Sequence, residues 1–408
     1  MSSSFEVLRG GEAASSTVTA QARPAIDVAR PRLDSVDLLR GLVMCVMALD
    51  HVRDFFAPGG MNPRDVADPA LFLTRWITHY CAPTFIFLAG ISAWLYGARG
   101  RSTGELSRFL LTRGLWLIVI ELTLVRFAWR FAVDVQLFVA QVIFAIGASM
   151  VVLSALVWLP RWAVAGIGIA MILGHNLLDG IKAEQLGAFA FVWNMLHQPG
   201  MLRAGDTTLF VLYPLVPWIG VMAAGYALGP VFRLDRAARM QWLLVLGTVT
   251  TIGFVALRAS NLYGDPAAWT HHEGTLATVL SFLNCEKYPP SLLYLAMTLG
   301  PAVLLLAAFD GVRGRIADWV IVFGRVPFLY YVAHLFLIHI LAVAYSGATI
   351  GDVSWLFGGM PGNKPAGYGL PLPGVYAVWI FVLFALHPLC RWFASVKQRR
   401  REWWVSYL

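Results

Sequence analysis

Arg40 and His51 lie eleven residues apart in a segment that is otherwise largely apolar. Eleven residues make about three helical turns, which puts both side chains on one face, about 16 Å apart along the axis. Asp37, Met44, Met47 and Asp54 fall at the same helical spacing, and Asp50, Arg53 and Asp54 surround the histidine. A carboxylate beside an imidazole can orient the ring and support its cationic form, which suits a general base taking a proton from a hydroxyl or an amine. His79, in the next apolar segment, is expected at a similar depth. His51 and His79 are therefore the candidates for proton transfer, with Asp50 and Asp54 beside them. Ionisable groups inside a membrane cost about 2.5–3.5 kcal/mol each on insertion scales. A whole stripe of them points to function, the competing reading being an ion-paired face between helices.

A second set is basic. Arg40, Arg108, Arg113 and Arg325 fall toward the other end of their segments. Guanidinium forks match phosphate oxygens, so Arg40, Arg113 and Arg325 are expected to hold a phosphate-bearing donor. Arg325 stands in Gly324-Arg325-Val326-Pro327, where proline is expected to bend the helix and free backbone groups. Glu121 is expected to pair with an arginine such as Arg126, or with a histidine. Glu286, Lys287 and His334 are placed on the histidine side, where an acceptor would be touched. The doublet His271-His272-Glu273 lacks zinc-ligand spacing, and no metal is assigned. No phosphate-cradling glycine loop, GxSxG elbow or dinucleotide fingerprint is present.

These residues need a scaffold, and composition says which. Of 408 residues 58% are hydrophobic and only 13% charged, and mean hydropathy is +0.67, whereas ordinary globular domains carry about 25% charged residues. That excludes a disordered chain, a nucleic-acid-binding domain and most soluble enzymes. An all-α, polytopic transmembrane bundle of about ten helices is expected, at 36–56, 71–97, 108–128, 135–158, 163–180, 208–230, 239–258, 288–309, 318–346 and 374–395. With the N-terminus in the cytoplasm, the inner segments hold far more Lys and Arg than the outer ones, which sets both termini inside and explains most of the net charge of +8. Residues 1–34 then form a disordered cytoplasmic tail, 35–396 the membrane domain, and 397–408 a basic, aromatic cytoplasmic tail. The outer segments 181–207, 259–287 and 347–372 are long, which favours an acceptor on that face. Cys45, Cys81, Cys285 and Cys390 form no CxxC pair, so neither a disulfide framework nor a zinc site is expected.

Two chemistries fit these residues. One passes a group from a cytosolic, phosphate-rich donor to an outer acceptor. The other is proton-coupled transport of an anionic solute, with the arginines binding solute and the histidines carrying protons. No internal repeat supports the second.

The ordered motifs Arg32-Leu33-Asp34-Ser35-Val36-Asp37-Leu38-Leu39-Arg40-Gly41-Leu42, Ala82-Pro83-Thr84-Phe85-Ile86-Phe87-Leu88-Ala89-Gly90-Ile91-Ser92, Tyr213-Pro214-Leu215-Val216-Pro217-Trp218-Ile219-Gly220, Lys287-Tyr288-Pro289-Pro290-Ser291-Leu292 and Gly324-Arg325-Val326-Pro327-Phe328-Leu329-Tyr330-Tyr331 together resemble the bacterial relatives of heparan-alpha-glucosaminide N-acetyltransferase, the DUF1624 group of transmembrane acyltransferases. The resemblance spans about residues 32–395. It implies a bacterial inner-membrane protein moving an acetyl group from cytosolic acetyl-CoA to a sugar amine or hydroxyl of an envelope glycan or glycolipid. Membrane lipid and acyl-CoA are the other partners, and a homo-oligomer is one option. In the family the catalytic histidine lies in the loop after the first helix. The corresponding loop here, 57–70, has none, and His51 and His79 are the residues that can replace it. Arg40 and His51 also reproduce the R-x10-H spacing of the acyltransferase-3 family.

Overall fold

The structure, a computed structural model, describes residues 34–400. Its helices are α1 (Asp34–Phe56), α2 (Pro69–Thr78), α3 (Cys81–Gly97), α4 (Thr103–Ile120), α5 (Arg126–Arg130), α6 (Val142–Leu156), α7 (Arg161–Gly174), α8 (Ala190–Leu196), α9 (Leu215–Leu228), α10 (Arg236–Ser260), α11 (Thr275–Leu283), α12 (Leu292–Ala308), α13 (Arg315–Arg325), α14 (Pro327–Thr349) and α15 (Leu372–Arg399). Each of the ten apolar stretches contains helix. Among the described residues, however, only six helical stretches are long and apolar enough to cross a membrane: Pro69–Gly97, Arg161–Leu178, Leu215–Arg233, Arg236–Ser260, Pro327–Thr349 and Leu372–Arg399. The α6 and α12 helices are apolar but shorter, and α1 carries Asp34, Asp37, Arg40, Asp50, Arg53 and Asp54. The expected tails lie mostly outside the described residues; Asp34 begins α1, and α15 continues through Lys397 to Arg399.

The membrane character is visible on the surface. α10 leaves Trp242, Val245, Val249, Ile252 and Val255 exposed, and α15 leaves Ile380, Phe381, Phe384 and Trp392 exposed. Apolar faces of that extent are stable only against other apolar matter. α1, in contrast, is central. Ala48, Val52 and Phe55 are fully buried, and the helix packs against α3, α13, α14 and α15.

Small residues set the closest approaches. A Cβ on Gly114 of α4 would lie 2.5 Å from the Gly147 carbonyl of α6. At the α1–α13 seam, a Cβ on Gly324 would run into the Asp37 carbonyl, and one on Gly41 into that of Val320. Backbones in contact this way gain dispersion along their whole length and need no side-chain ordering.

Two interruptions follow from proline. The 71–97 stretch breaks into α2 and α3 at His79–Tyr80. Pro83 has no N–H to return to the His79 carbonyl four residues back, and that carbonyl instead accepts from the Tyr294 hydroxyl at 2.9 Å. The 318–346 stretch breaks at Val326 (φ −130°, ψ 50°), which Pro327 pushes out of the helical region; proline then opens α14.

The fold departs from all-α by one small sheet. β1 (Leu137–Ala140) pairs in parallel with β3 (Thr207–Val211), which pairs antiparallel with β2 (Gly200–Ala204). Thr207 to Val211 is β-branched and apolar and runs on into the next helix, so its hydropathy alone cannot tell strand from span. Gly205, at φ +59°, supplies the positive φ that the two-residue β2–β3 turn requires at its first position.

Two long connections frame the end of the bundle where α1 finishes. Segment 350–371 is strapped down there: Leu370 donates to the Phe56 carbonyl at 2.7 Å, Gly358 to that of Arg130 at 2.8 Å, and His339 lies 2.9 Å from the carbonyls of both Ala128 and Leu356. Segment 261–291 is organised by buried Arg258. Its guanidinium donates to the carbonyls of Ala267, Ser281, Phe282 and Asn284 and lies 3.7 Å from Asp265. Asp265 in turn accepts from Ser291 and from the Glu286 amide.

Candidate active site

His51, on the last third of α1, meets His334 of α14. The rings stack with centroids 4.9 Å apart, and His51 Nδ1 is 2.6 Å from His334 Nε2. His334 Nδ1 lies 2.8 Å from the Tyr330 carbonyl. A carbonyl only accepts, so His334 Nδ1 carries the proton and, in the neutral ring, its Nε2 is the acceptor. His51 Nδ1–H therefore donates to His334, which leaves His51 Nε2 with a free lone pair. That is the tautomer a general base needs. Trp129 and Tyr331 meet the His51 ring edge-on, with centroids 4.9 and 6.1 Å away. His334 is fully buried, so the pair has one solvent-facing member.

His51 lines a cavity of about 390 Å³ together with Asp50, Arg53, Asp54, Lys287 and Lys364. The expected carboxylate support is arranged differently. Asp50 Oδ1 accepts from Arg53 at 2.7 Å and from Thr78 at 3.0 Å, and Asp54 accepts from Arg53 at 2.9 Å. The carboxylates thus hold Arg53, and an imidazole orients His51. Arg53 keeps a buried Nη1 with no partner, an orphaned donor at the cavity wall. Lys287 is buried, its Nζ 5.2 Å from the Tyr288 ring centre.

Lys364 donates to the Ala57 carbonyl at 2.6 Å. Burial pushes its ammonium from the ordinary 10.5 down to about 8, with Asp54 opposing the shift. The folded state thus releases this proton before the unfolded chain does, and the group's contribution to stability rises with pH between about 8 and 10.5. In Lys364→Met the wild-type rise of the melting midpoint across that window is expected to flatten. Parallel pH profiles for the two proteins would remove the assignment.

The other candidates separate. His79 is buried, with neither ring nitrogen bonded, and packs against Tyr294 at 5.3 Å; it does not line the cavity with His51. Glu286 accepts from Arg64 at 2.8 Å and lines a neighbouring cavity of about 230 Å³, which shares Tyr288 with the first. Arg40 and Arg325 come together at the opposite end of α1. Arg40 donates to Asp37, to the Gly324 carbonyl and to Ser92 at 2.9–3.1 Å. Arg325 lies 3.8 Å from Asp34 and keeps a buried, unpartnered Nε. Arg113 lies on α4, its guanidinium 6.0 Å from the Phe109 ring. Glu121 pairs with no arginine; it starts a π-helical turn at the end of α4 and accepts from the Phe144 amide in the first turn of α6 at 3.2 Å. Arg126 turns instead to Asp134.

Sequence reading missed four cavity groups: Trp129, Tyr331, Arg53 as the binder of both aspartates, and Lys364. It also gave His175 and His197 only a structural role on the outer side and did not join them to Asp179; the ligand atoms of the three lie within 4.8 Å of one another. The signal was the His-x3-Asp spacing at 175–179.

Against known families, the model described as heparan-alpha-glucosaminide N-acetyltransferase, catalytic, matches residues 32–258. That is more than half of the chain and includes Arg40, the Asp50–Asp54 group, His79 and Arg113. His334, Lys287, Glu286, Arg325 and Lys364 lie beyond it. No curated protein matches the chain.

Proposed function

Because the chain belongs to the heparan-alpha-glucosaminide N-acetyltransferase catalytic family, we propose that it is a membrane acyltransferase that moves an acetyl group from cytosolic acetyl-CoA to an amine or hydroxyl of an envelope sugar. The observation that carries this reading is the His51–His334 pair on a cavity wall, with its free lone pair on His51.

Acyl-CoA supplies a thioester whose carbonyl is open to attack by an amine or hydroxyl. His51 Nε2 takes the acceptor's proton as the new bond to carbon forms, and returns it to the departing sulfur. His334 stays neutral and accepts the hydrogen bond from the imidazolium. The orphaned Nη1 of Arg53 and the Lys287 ammonium suit the acceptor's oxygens, Glu286 lines the neighbouring cavity, and His334, buried behind His51, acts only by positioning that ring. Arg40, eleven residues before His51 on α1, and Arg325, at the end of α13 beside Asp34, suit the donor's phosphates; the unpartnered Nε of Arg325 is what an anion would satisfy. Arg113 is the third candidate there. The reading takes the arginine end as cytoplasmic, both termini inside, ten crossings, and a bacterial inner membrane as the site.

The test is release or transfer of label from radiolabelled acetyl-CoA by purified protein in detergent, beside acetyl-CoA binding by calorimetry. Turnover is expected, and Arg40→Ala with Arg325→Ala together is expected to weaken acetyl-CoA binding at least tenfold. Unchanged binding in the folded double variant would remove the donor assignment. No binding by the wild type, with uptake of an anionic solute into proteoliposomes, would establish the transport reading instead.

A further inference from the structure

The structure assigns a second site of different chemistry: we propose that His175, Asp179 and His197 bind one divalent transition-metal ion of the zinc type. His175 and Asp179 lie at the 3-10 turn that ends α7, and His197 caps the C-terminus of α8. Their ligand atoms lie within 4.8 Å of one another. His197 Nε2 and Asp179 Oδ1 are 3.1 Å apart, close to the separation of about 3.3 Å that two ligands show on a tetrahedral zinc with bonds near 2.0–2.1 Å.

A second observation is independent of that spacing. Both imidazoles are only 2% exposed. Neither nitrogen of His175 has a hydrogen-bond partner, and neither has Nδ1 of His197. A buried imidazole normally satisfies at least one nitrogen; one with both free beside a second histidine and a carboxylate lacks an acceptor of electron pairs, and a cation is that acceptor. Coordination through His197 Nε2 places the ring proton on Nδ1. The surrounding shell is built for orientation. Asn176 Nδ2 donates to Asp179 Oδ2 at 2.8 Å, while Asn176 Oδ1 accepts from the Leu292 amide at 2.8 Å. The carboxylate is thereby fixed to the start of α12.

Two imidazoles and one carboxylate suit zinc over magnesium or calcium, and three protein ligands leave a fourth position. Asp179 and His197 also line the 230 Å³ cavity with Glu286 and Tyr288, next to the one that holds His51.

Tag-free protein, stripped with chelator, incubated with Zn²⁺ and desalted, is expected to retain one zinc per chain by mass spectrometry. His175→Ala with His197→Ala should retain none. His271→Ala with His272→Ala, the exposed doublet, should retain the full equivalent. Co²⁺ should give the intense visible bands of a tetrahedral site, lost in Asp179→Asn. Zinc that leaves on desalting, or that stays in the double variant, overturns the site. Should the double variant not fold, the wild type decides alone: a melting midpoint unmoved by Zn²⁺ and a colourless Co²⁺ sample also overturn it.

Discussion

His51→Ala is expected to lower acetyl transfer about 100- to 10,000-fold, the range that a positioned general base contributes, without loss of acetyl-CoA binding. The ring is half-buried at a cavity wall, so its removal enlarges an existing space and leaves His334 with its bond to the Tyr330 carbonyl. His334→Gln should cost less and should shift the pH–rate profile, because an amide can still accept from His51 but holds the ring less rigidly. His79→Ala tests the competing histidine. Its ring is buried away from the cavity, so it should change stability and leave turnover within a few-fold. Loss of turnover in His79→Ala with activity kept in His51→Ala would reverse the assignment.

Gly324→Val is expected to have the largest effect on the fold. A branched side chain there meets the Asp37 carbonyl, and the neighbouring contacts are also backbone, so no rotamer relieves the clash. Overpacking of this kind costs up to about 3 kcal/mol even in soluble cores. The expected readout is a melting midpoint lowered by several degrees or a failure to purify as one species. The same change pushes away the Gly324 carbonyl that Arg40 uses, so weakened acetyl-CoA binding should accompany any folded fraction. A Gly324→Val protein with wild-type melting would show that the α1–α13 seam is looser than its packing indicates.

Helix placement was legible because long apolar runs and their punctuation are local properties. The break at Val326 was readable from Pro327 for the same reason. His51 stood out as a charged stripe within such a run. Its partner did not, since His334 lies 283 residues away and only the packing of α14 on α1 joins them. The carboxylates misled for a physical cause: Asp50 and Asp54 are one turn apart, and Arg53 between them is the stronger partner for both. Strand β3 was hidden inside an apparent span, because an apolar run has the same hydropathy in either conformation. Lys364 sits on a long connection whose position depends on the bundle beneath it, and His175 with Asp179 at the end of α7 meets His197 at the end of α8 only through the fold.

The bond from His334 to the Tyr330 carbonyl also limits how protons travel. A relay needs each member to accept a proton on one side and release one on the other. A backbone carbonyl accepts a hydrogen bond but cannot pass a proton onward, so the chain His51–His334–Tyr330 is a blind alley and not a wire through the bundle. A proton collected at His51 leaves by the same cavity mouth it entered. Such a pair can cycle protons locally once per turnover, yet it cannot by itself conduct them along α14, and a proton leak or a voltage-dependent current through this pair is not expected.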